Sequence, residues 1–170
     1  SENLYVDTTG KWDARYVPAF VRRYPFVPAK GPQYDLLVCI DEASPCFSEA
    51  EGEALFADGK PTAQLEHAIR FLREFHQSAA ATERMCLRLA ELGLLRQADS
   101  VAELKDGSRF RLNGLQVVDE AKLRALDKEA VQELFGNGGL ALIHAHLISL
   151  GNLAGLVDRL SKRGKRRKKA

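Results

Sequence analysis

Arginine and aromatic residues are interleaved over one short stretch near the start of the chain, from Trp12 to Phe26. A guanidinium group binds a carboxylate or phosphate through two parallel hydrogen bonds, and neighbouring rings can hold an apolar body. The same combination is enriched at the energetic centres of protein interfaces. These residue types therefore predict a binding site for a ligand or partner, with the following candidate members: Trp12, Arg15, Tyr16, Phe20, Arg22, Arg23 and Tyr24.

The aromatic residues of this stretch also have a simpler structural interpretation. Tyr16, Phe20 and Phe26 are suitable anchors for a hydrophobic core, and Trp12 can cover its edge. Three interpretations are therefore open for the stretch: core, protein interface and ligand pocket.

Two prolines predict the local structure of the stretch. Pro18 suits the first turn of a short helix, because its missing N–H is not needed there. Pro25 prevents the helix from continuing and favours an extended backbone at Tyr24. Tyr16, Phe20 and Tyr24 follow one another at intervals of four, so we expect them on one face of the helix, with the arginines on the other side.

Two histidines, His144 and His146, are the remaining candidate binding residues, and they invite a metal interpretation. Side chains two positions apart on a helix point in different directions, so both cannot face one ion. A helical chelate needs a spacing of four. We therefore predict no metal site and keep both histidines as candidate contacts to a ligand or partner.

The sequence contains no recognisable catalytic motif. It lacks the nucleophile motif G-x-S-x-G, and the glycine-rich segment 136–139 lacks the lysine of a nucleotide-binding loop. The acidic pairs at 41–42 and 119–120 are expected to be helix caps or surface groups. The sequence thus predicts no catalytic residue and no cofactor, and it favours a non-enzymatic function while leaving enzymatic activity open.

Charge is distributed unevenly between the body of the chain and its end. The formal net charge is +2, although residues 162–169 alone contribute seven positive charges. We assign residues 1–161 to one globular domain and residues 162–170 to a basic disordered tail. Because the chain begins at Ser1 without a methionine, we also expect that it lacks an N-terminal part.

The order of predicted elements is typical of an α+β protein, with small antiparallel β elements packed with helices. Strands are expected near 4–6 and over Tyr34–Ile40. One long helix follows, from an N-cap at Thr62 to Leu92, with a narrow apolar seam and Gly93 as its stop.

The second half of the chain predicts a hairpin and then helices. Asn113-Gly114 is a strong signal for a tight turn, here between two short strands at 109–112 and 115–118. Asp119 and Asp127 are both suitable N-caps for the helices that follow.

The last predicted helix, 140–160, is unusually apolar, and with the preceding helix it makes a C-terminal pair. No charged residue occurs between Phe135 and Val157, and lysines and arginines follow, which imitates a membrane span. His144, His146 and Asn152 are costly in lipid. We therefore favour a helix buried in a soluble core over a transmembrane span.

Five segments, taken in order, resemble the SapC family of bacterial proteins. They are Y-V-P-A-F-V-R-R-Y-P-F at 16–26, V-C-I-D-E at 38–42, G-E-A-L-F at 52–56, L-N-G-L-Q-V-V-D-E at 112–120 and H-A-H-L-I-S-L at 144–150. The fourth segment departs by one position from a clean match to the family's pattern. Together they extend over nearly the whole chain, which would correspond to roughly the C-terminal two-thirds of a SapC-like protein.

The resemblance implies a role beside bacterial surface structures. A founding member is associated with a paracrystalline surface layer, and others lie beside outer-membrane TonB-dependent receptors and flavin-dependent halogenase-like proteins. We therefore expect a non-enzymatic binding or assembly module with a protein partner among surface-layer or outer-membrane uptake proteins, in the cytoplasm or at the periphery of a membrane. The alternative is an accessory enzyme or small-ligand-binding protein that uses an arginine and aromatic pocket.

Two further partner hypotheses stay open. The basic run Lys162–Lys169 has the charge to contact nucleic acid or an anionic membrane, although it has no interleaved aromatic residues. The second hypothesis is that the protein forms a homodimer.

Overall fold

The computed structural model describes residues 3–29, 31, 36–103 and 109–167. These residues form six helices and three two-stranded antiparallel sheets. The α+β class predicted from the sequence is confirmed. The strand expected near 4–6 does not form.

The chain divides into two compact units. One is Trp12–Arg84, and the other joins Ser1–Lys11 to Met85–Ala170. The boundary at 84–85 falls within the longest helix. The assignment of residues 1–161 to a single domain stays a prediction.

Short elements precede the long helix in the Trp12–Arg84 unit. They are helix α1 (Ala19–Arg22) and strands β1 (Phe26–Ala29), β2 (Leu37–Ile40), β3 (Phe56–Ala57) and β4 (Lys60–Pro61). β1 pairs with β2, and β3 pairs with β4. β2 lies within the predicted strand 34–40, of which residues 34 and 35 are outside the described part. β1 escapes sequence analysis because it contains Pro28, a residue that only an edge strand tolerates well.

Helix α1 is a single turn. Pro18 is its N-cap, and Pro25 follows soon after its end. Tyr16 and Tyr24 therefore lie outside the helix, and the prediction that both share a helical face with Phe20 is wrong. The two prolines leave too few residues between them for a second turn.

The long helix, α2 (Ala63–Glu91), begins and ends within a residue of the predicted positions. Thr62 directly precedes the helix: its carbonyl accepts from the N–H of Glu66, and its hydroxyl donates to the carbonyls of Ala54 and Leu55. Gly93 follows the helix in the left-handed conformation, with φ +65°.

The apolar seam of α2 is buried only in part. Leu65, Leu72 and Leu89 are buried, whereas Thr82 and Cys86 in the same seam are exposed. The 3.6-residue period therefore identifies the core-facing positions near both ends of the helix and overestimates burial between them.

A long hairpin follows α2 in the Met85–Ala170 unit. It consists of β5 (Leu95–Glu103) and β6 (Arg109–Val118), which pair in antiparallel register. The predicted turn at Asn113-Gly114 is wrong, because both residues lie inside β6. Two residues of β6, Asn113 and Gly114, face one residue of β5, which is a β-bulge, and Gly114 has the positive φ that such a bulge uses.

Four helices complete this unit. They are α3 (Glu120–Arg124), α4 (Lys128–Gly136), α5 (Gly139–Ser149) and α6 (Asn152–Arg167). The side chain of Asp119 accepts hydrogen bonds from the N–H groups of the first turn of α3, and Asp127 does the same for α4. Both N-caps predicted from the sequence are confirmed.

The core of the Met85–Ala170 unit is a cluster of five buried residues contributed by four segments. They are Leu89, Leu94, Val118, Leu134 and Ile143. Leu89 lies on α2, Leu94 directly precedes β5, Val118 ends β6, Leu134 lies on α4, and Ile143 lies on α5. This cluster fixes α4 and α5 against the end of the hairpin.

The C-terminal helices differ from the expected arrangement. The chain breaks at 150–151 instead of forming one helix over 140–160, and α6 reaches Arg167, so 162–167 are helical where a disordered tail was expected. Lysine and arginine are good helix formers, which is consistent with a helical end of α6.

The segment Gly139–Lys162 is long and apolar enough to cross a membrane by length and composition, and 6% of its most apolar window is buried. The expectation of a helix buried in a soluble core is therefore wrong for most of this segment.

Gly139 provides a test of core packing. A Cβ atom there would lie 2.7 Å from Leu134 Cδ2 and 2.9 Å from Asn137 Oδ1, whereas a Cβ at Gly136 would meet nothing within 4 Å. We expect Gly139→Ala to lower the free energy of unfolding by about 1–3 kcal/mol, because Leu134 is fully buried and has little space to shift. Urea titrations measure the free energy of unfolding of both variants, and Gly136→Ala should not lower it. Equal effects of the two changes would contradict this packing.

An ion pair joins α2 to α4 on the surface of the same unit. Arg88 Nε and Nη2 donate to the two carboxylate oxygens of Glu133 at 2.9 and 2.7 Å, and Nη1 donates to Glu91 at 3.0 Å. The two parallel bonds to Glu133 form the stronger, geometrically defined contact. The guanidinium holds the pKa of Glu133 below its usual value of 4.5.

The contribution of Glu133 to stability should depend on pH. Because its pKa is lower in the folded than in the unfolded chain, its contribution is present above pH 4.5 and is lost as the pH falls through the folded pKa. Glu133→Gln should therefore lower Tm at neutral pH, and its difference from the unmodified protein should shrink in acid. Glu91→Gln, which removes a single bond, is the control and should have the smaller effect at pH 7. A pH-independent difference for Glu133→Gln would contradict the ion pair.

Candidate functional site

Two neighbouring arginines of the Trp12–Arg84 unit are stacked on aromatic rings. The guanidinium carbon of Arg22 lies 5.5 Å from the ring centroid of Tyr16 and 5.1 Å from that of Phe71. The corresponding distances from Arg23 are 4.5 Å to Phe20 and 5.5 Å to Phe75. Each cation thus contacts one ring from the segment around α1 and one ring from α2. We call this set the arginine–aromatic site: Tyr16, Phe20, Arg22, Arg23, Phe71 and Phe75.

Helical spacing explains why the contacts come in two sets. Phe71 and Phe75 are one turn apart on α2, so their rings lie side by side along one face. Arg22 and Arg23 are consecutive at the end of α1, and consecutive helical side chains diverge. One arginine therefore reaches one phenylalanine, and the next arginine reaches the other.

The positive charge of the site is not neutralised by any residue that the structure describes. No described carboxylate lies within ion-pair distance of Arg22 or Arg23. Arg22 Nη2 donates to the hydroxyl of Tyr16 at 3.4 Å. Arg23 Nε is buried and has no acceptor among the described residues. The rings stabilise the cations through their faces, and the guanidinium edges keep donors for an anion.

A groove of about 450 Å³ adjoins these arginines, within the size range of small-molecule sites. Its lining includes Arg22, Arg23, Tyr24, His67 and Phe71. The Tyr24 hydroxyl donates to Asp41 Oδ2 at 2.9 Å, which ties the segment before β1 to the residue after β2.

A larger groove of about 610 Å³ occurs elsewhere on the same unit. It is lined by both charge signs, including Arg73 and Glu83, together with His76 and Leu36. Opposite charges within one groove leave less net attraction for an anion, so we take the arginine–aromatic site as the candidate functional site.

The aromatic side chains of the site are largely uncovered. Tyr16 is 64%, Phe20 65% and Tyr24 49% exposed. The core interpretation is therefore wrong for Tyr16 and Phe20, whereas Phe26 is half-buried and packs edge-to-face on Phe47 with 5.8 Å between centroids. Large exposed rings beside arginines are the composition of an interface centre.

The other predicted site residues have different positions. Trp12 Nε1 donates to the backbone carbonyl of Tyr16 at 3.1 Å, which holds the backbone at a residue of the site, and Arg15 is exposed outside the groove lining. His144 and His146 belong to the other unit. There His146 Nε2 accepts a hydrogen bond from the backbone N–H of Val118 at 3.3 Å, and His144 is exposed.

Sequence analysis missed the part of the site that α2 supplies. The sequence pattern does not place Phe71, Phe75 or His67 beside the arginines. The i, i+4 pair of phenylalanines was the available signal, but nothing local links it to a segment about 50 residues earlier in the chain.

The hydroxyl of Tyr24 should contribute measurably to the stability of this unit. We expect Tyr24→Phe to cost about 0.5–1.5 kcal/mol, because it removes a hydrogen bond to a carboxylate that links two segments. Tyr16→Phe, which loses only the longer contact to Arg22, should change stability by less than about 0.5 kcal/mol. Chemical denaturation of both variants measures the difference, and an effect of Tyr24→Phe no larger than that of Tyr16→Phe would contradict the assignment.

The fold and the site define a small α+β protein with an exposed, cationic and aromatic surface. The SapC family model matches residues 1–156 of the chain, almost its full length, and the chain therefore belongs to the SapC family. The family resemblance seen in the sequence is confirmed. No curated protein matches the chain, and no solved structure matches it.

Proposed function

We propose that this SapC family protein is a non-enzymatic binding module whose arginine–aromatic site holds an acidic segment of a protein partner. One observation carries the proposal: Arg22 and Arg23 are both stacked on rings, and no described carboxylate neutralises them. A partner carboxylate would complete the hydrogen bonding of the guanidiniums, and the rings would be covered at the same time.

The exposure of the rings supports a protein partner. Tyr16 and Phe20 each keep almost two thirds of their surface uncovered, and both lie beside the arginines. Tyrosine and arginine are enriched among residues that dominate binding energy, especially where a partner excludes water from them. Stacking restricts the guanidiniums before binding, which lowers the entropy cost of ordering them.

A small anionic ligand is the second candidate, and with it an accessory enzymatic role. The groove of about 450 Å³ favours it, because Arg22, Arg23 and His67 all line that groove. Asp41 does not line it, and its carboxylate accepts the Tyr24 hydroxyl. The groove thus offers groups for holding an anion and, within its described lining, no carboxylate base.

The family resemblance directs the search for the partner. We propose a surface-layer protein or a component of an outer-membrane uptake system, met in the cytoplasm or at a membrane periphery. The arginine–aromatic site predicts that the contact segment of this partner is acidic and contains an apolar residue to cover Phe20.

The test begins with capture of the tagged protein from its native host, with membranes and cytosol processed separately and bound proteins identified by mass spectrometry. A captured protein is then purified and titrated directly against the chain. We expect the double variant Phe20→Ser, Arg23→Gln to weaken binding by at least about 30-fold, because both changes remove interface-centre contacts. Affinity should also fall with added salt.

The matched control is the double variant Phe56→Ser, Arg70→Gln. Phe56 is 61% exposed, Arg70 is exposed, and neither lines the groove of the site. An equal loss of partner affinity in both double variants, or no loss of affinity in either, would refute the site. Co-elution of a small anionic molecule that competes with the partner would instead support the second candidate.

A further inference from the structure

Helix α5 presents an uncharged surface to the outside of the Met85–Ala170 unit. Six exposed residues lie on one side of the helix, and none is a lysine, arginine, aspartate or glutamate. We call this set the outer face of α5: Ala141, Leu142, His144, Ala145, Ile148 and Ser149. Leu142 is 53% and Ile148 80% exposed. Both side chains are therefore accessible for contact with another apolar surface.

The opposite side of α5 is held in the protein core. Ile143 is 1% exposed within the core cluster, Gly139 is buried, and His146 accepts the backbone N–H of Val118. A transmembrane arrangement would have to withdraw Ile143 from that cluster and break the contact with Val118. A surface arrangement keeps both and uses only the outer face.

Helix α6 adds positive charge directly after this apolar surface. Its apolar residues follow the i, i+3, i+4, i+7 pattern and are half-buried: Leu153, Leu156, Val157 and Leu160. From Lys162 to Lys169 the sequence carries seven positive charges, and Asp158 is the only acidic residue between Gly139 and the chain end. The last described turns of α6 therefore pass from apolar to strongly cationic.

We propose that the outer face of α5, together with the cationic end of α6, docks on the surface of a lipid bilayer that contains anionic lipids. Apolar side chains on a helix of this kind insert at the boundary between headgroups and acyl chains, and lysines and arginines are attracted to anionic headgroups. The positive charge of α6 favours a membrane over a second copy of the chain as the occupant of this surface. A second copy joined through the same two helices offers only Asp158 against these cations, whereas an anionic membrane matches the whole run.

Vesicle flotation of the full chain tests the proposal. The protein should float with vesicles of mixed phosphatidylglycerol and phosphatidylcholine, and much less with phosphatidylcholine alone. Leu142→Ser combined with Ile148→Ser should reduce partitioning by at least about tenfold, because both side chains lose their apolar burial in the bilayer. Leu87→Ser is the control, since Leu87 is 59% exposed in the same unit but lies on α2.

The cationic contribution is tested by changing four residues to glutamine together: Lys162, Arg163, Lys165 and Arg166. This variant should float less and lose most of the salt dependence of binding. Circular dichroism of each variant confirms that the helices are intact.

Several outcomes would overturn the proposal. One is failure of the unmodified protein to float with anionic vesicles. A second is that the glutamine variant no longer binds vesicles while the Leu142 and Ile148 variant binds as well as the unmodified protein. The contact with the membrane would then be electrostatic alone. A dimer in sedimentation analysis that the same serine changes abolish would assign the face to a second copy. Resistance to alkaline carbonate extraction would indicate a span. The partner titrations of Phe20 and Arg23 variants are independent of each of these results.

Discussion

Burial of a few leucines along α2 is the constraint on which the candidate site depends. Leu72 is fully buried, and this fixes the rotation of the helix about its axis. Phe71 and Phe75 adjoin Leu72 on the helix surface, and their rings contact Arg22 and Arg23. A helix with a less strictly buried Leu72 would present the rings at varying angles, and the stacked cations would lose their support.

The arginine–aromatic site achieves cation stabilisation without a described counter-charge. An ion pair within the protein would satisfy the guanidiniums and remove their attraction for an external anion. Arg88 differs from these two arginines, because its guanidinium forms ion pairs with Glu133 and Glu91 and therefore has a structural role. Stacking on rings leaves the hydrogen-bonding edges of Arg22 and Arg23 for another molecule, and this difference separates a binding cation from a structural one.

The Met85–Ala170 unit shows how a fold can keep an apolar helix exposed. Its core cluster uses one side of α5, through Ile143, and leaves the outer face uncovered by described residues. The uncovered side is not a packing failure, since Gly139 and His146 are integrated into the unit. An exposed face of this kind persists only at a cost in solubility, which a bound surface would offset.

The sequence by itself determined the family, the α+β class, the limits of α2, the N-caps at Asp119 and Asp127 and the members of the cationic and aromatic stretch. The limits of α2 and the N-caps depend on contacts within a few residues, which spacing and residue type report directly, and the family follows from five sequence segments in order. Only the tertiary structure decided that Asn113-Gly114 is a bulge, because the choice between turn and bulge depends on the distant partner strand β5. It also decided which rings stack on Arg22 and Arg23, and that α5 is exposed, because burial depends on what else packs nearby. A helix that is apolar on every side has the same sequence pattern in a core, in a membrane or on a surface, and only its neighbours distinguish them.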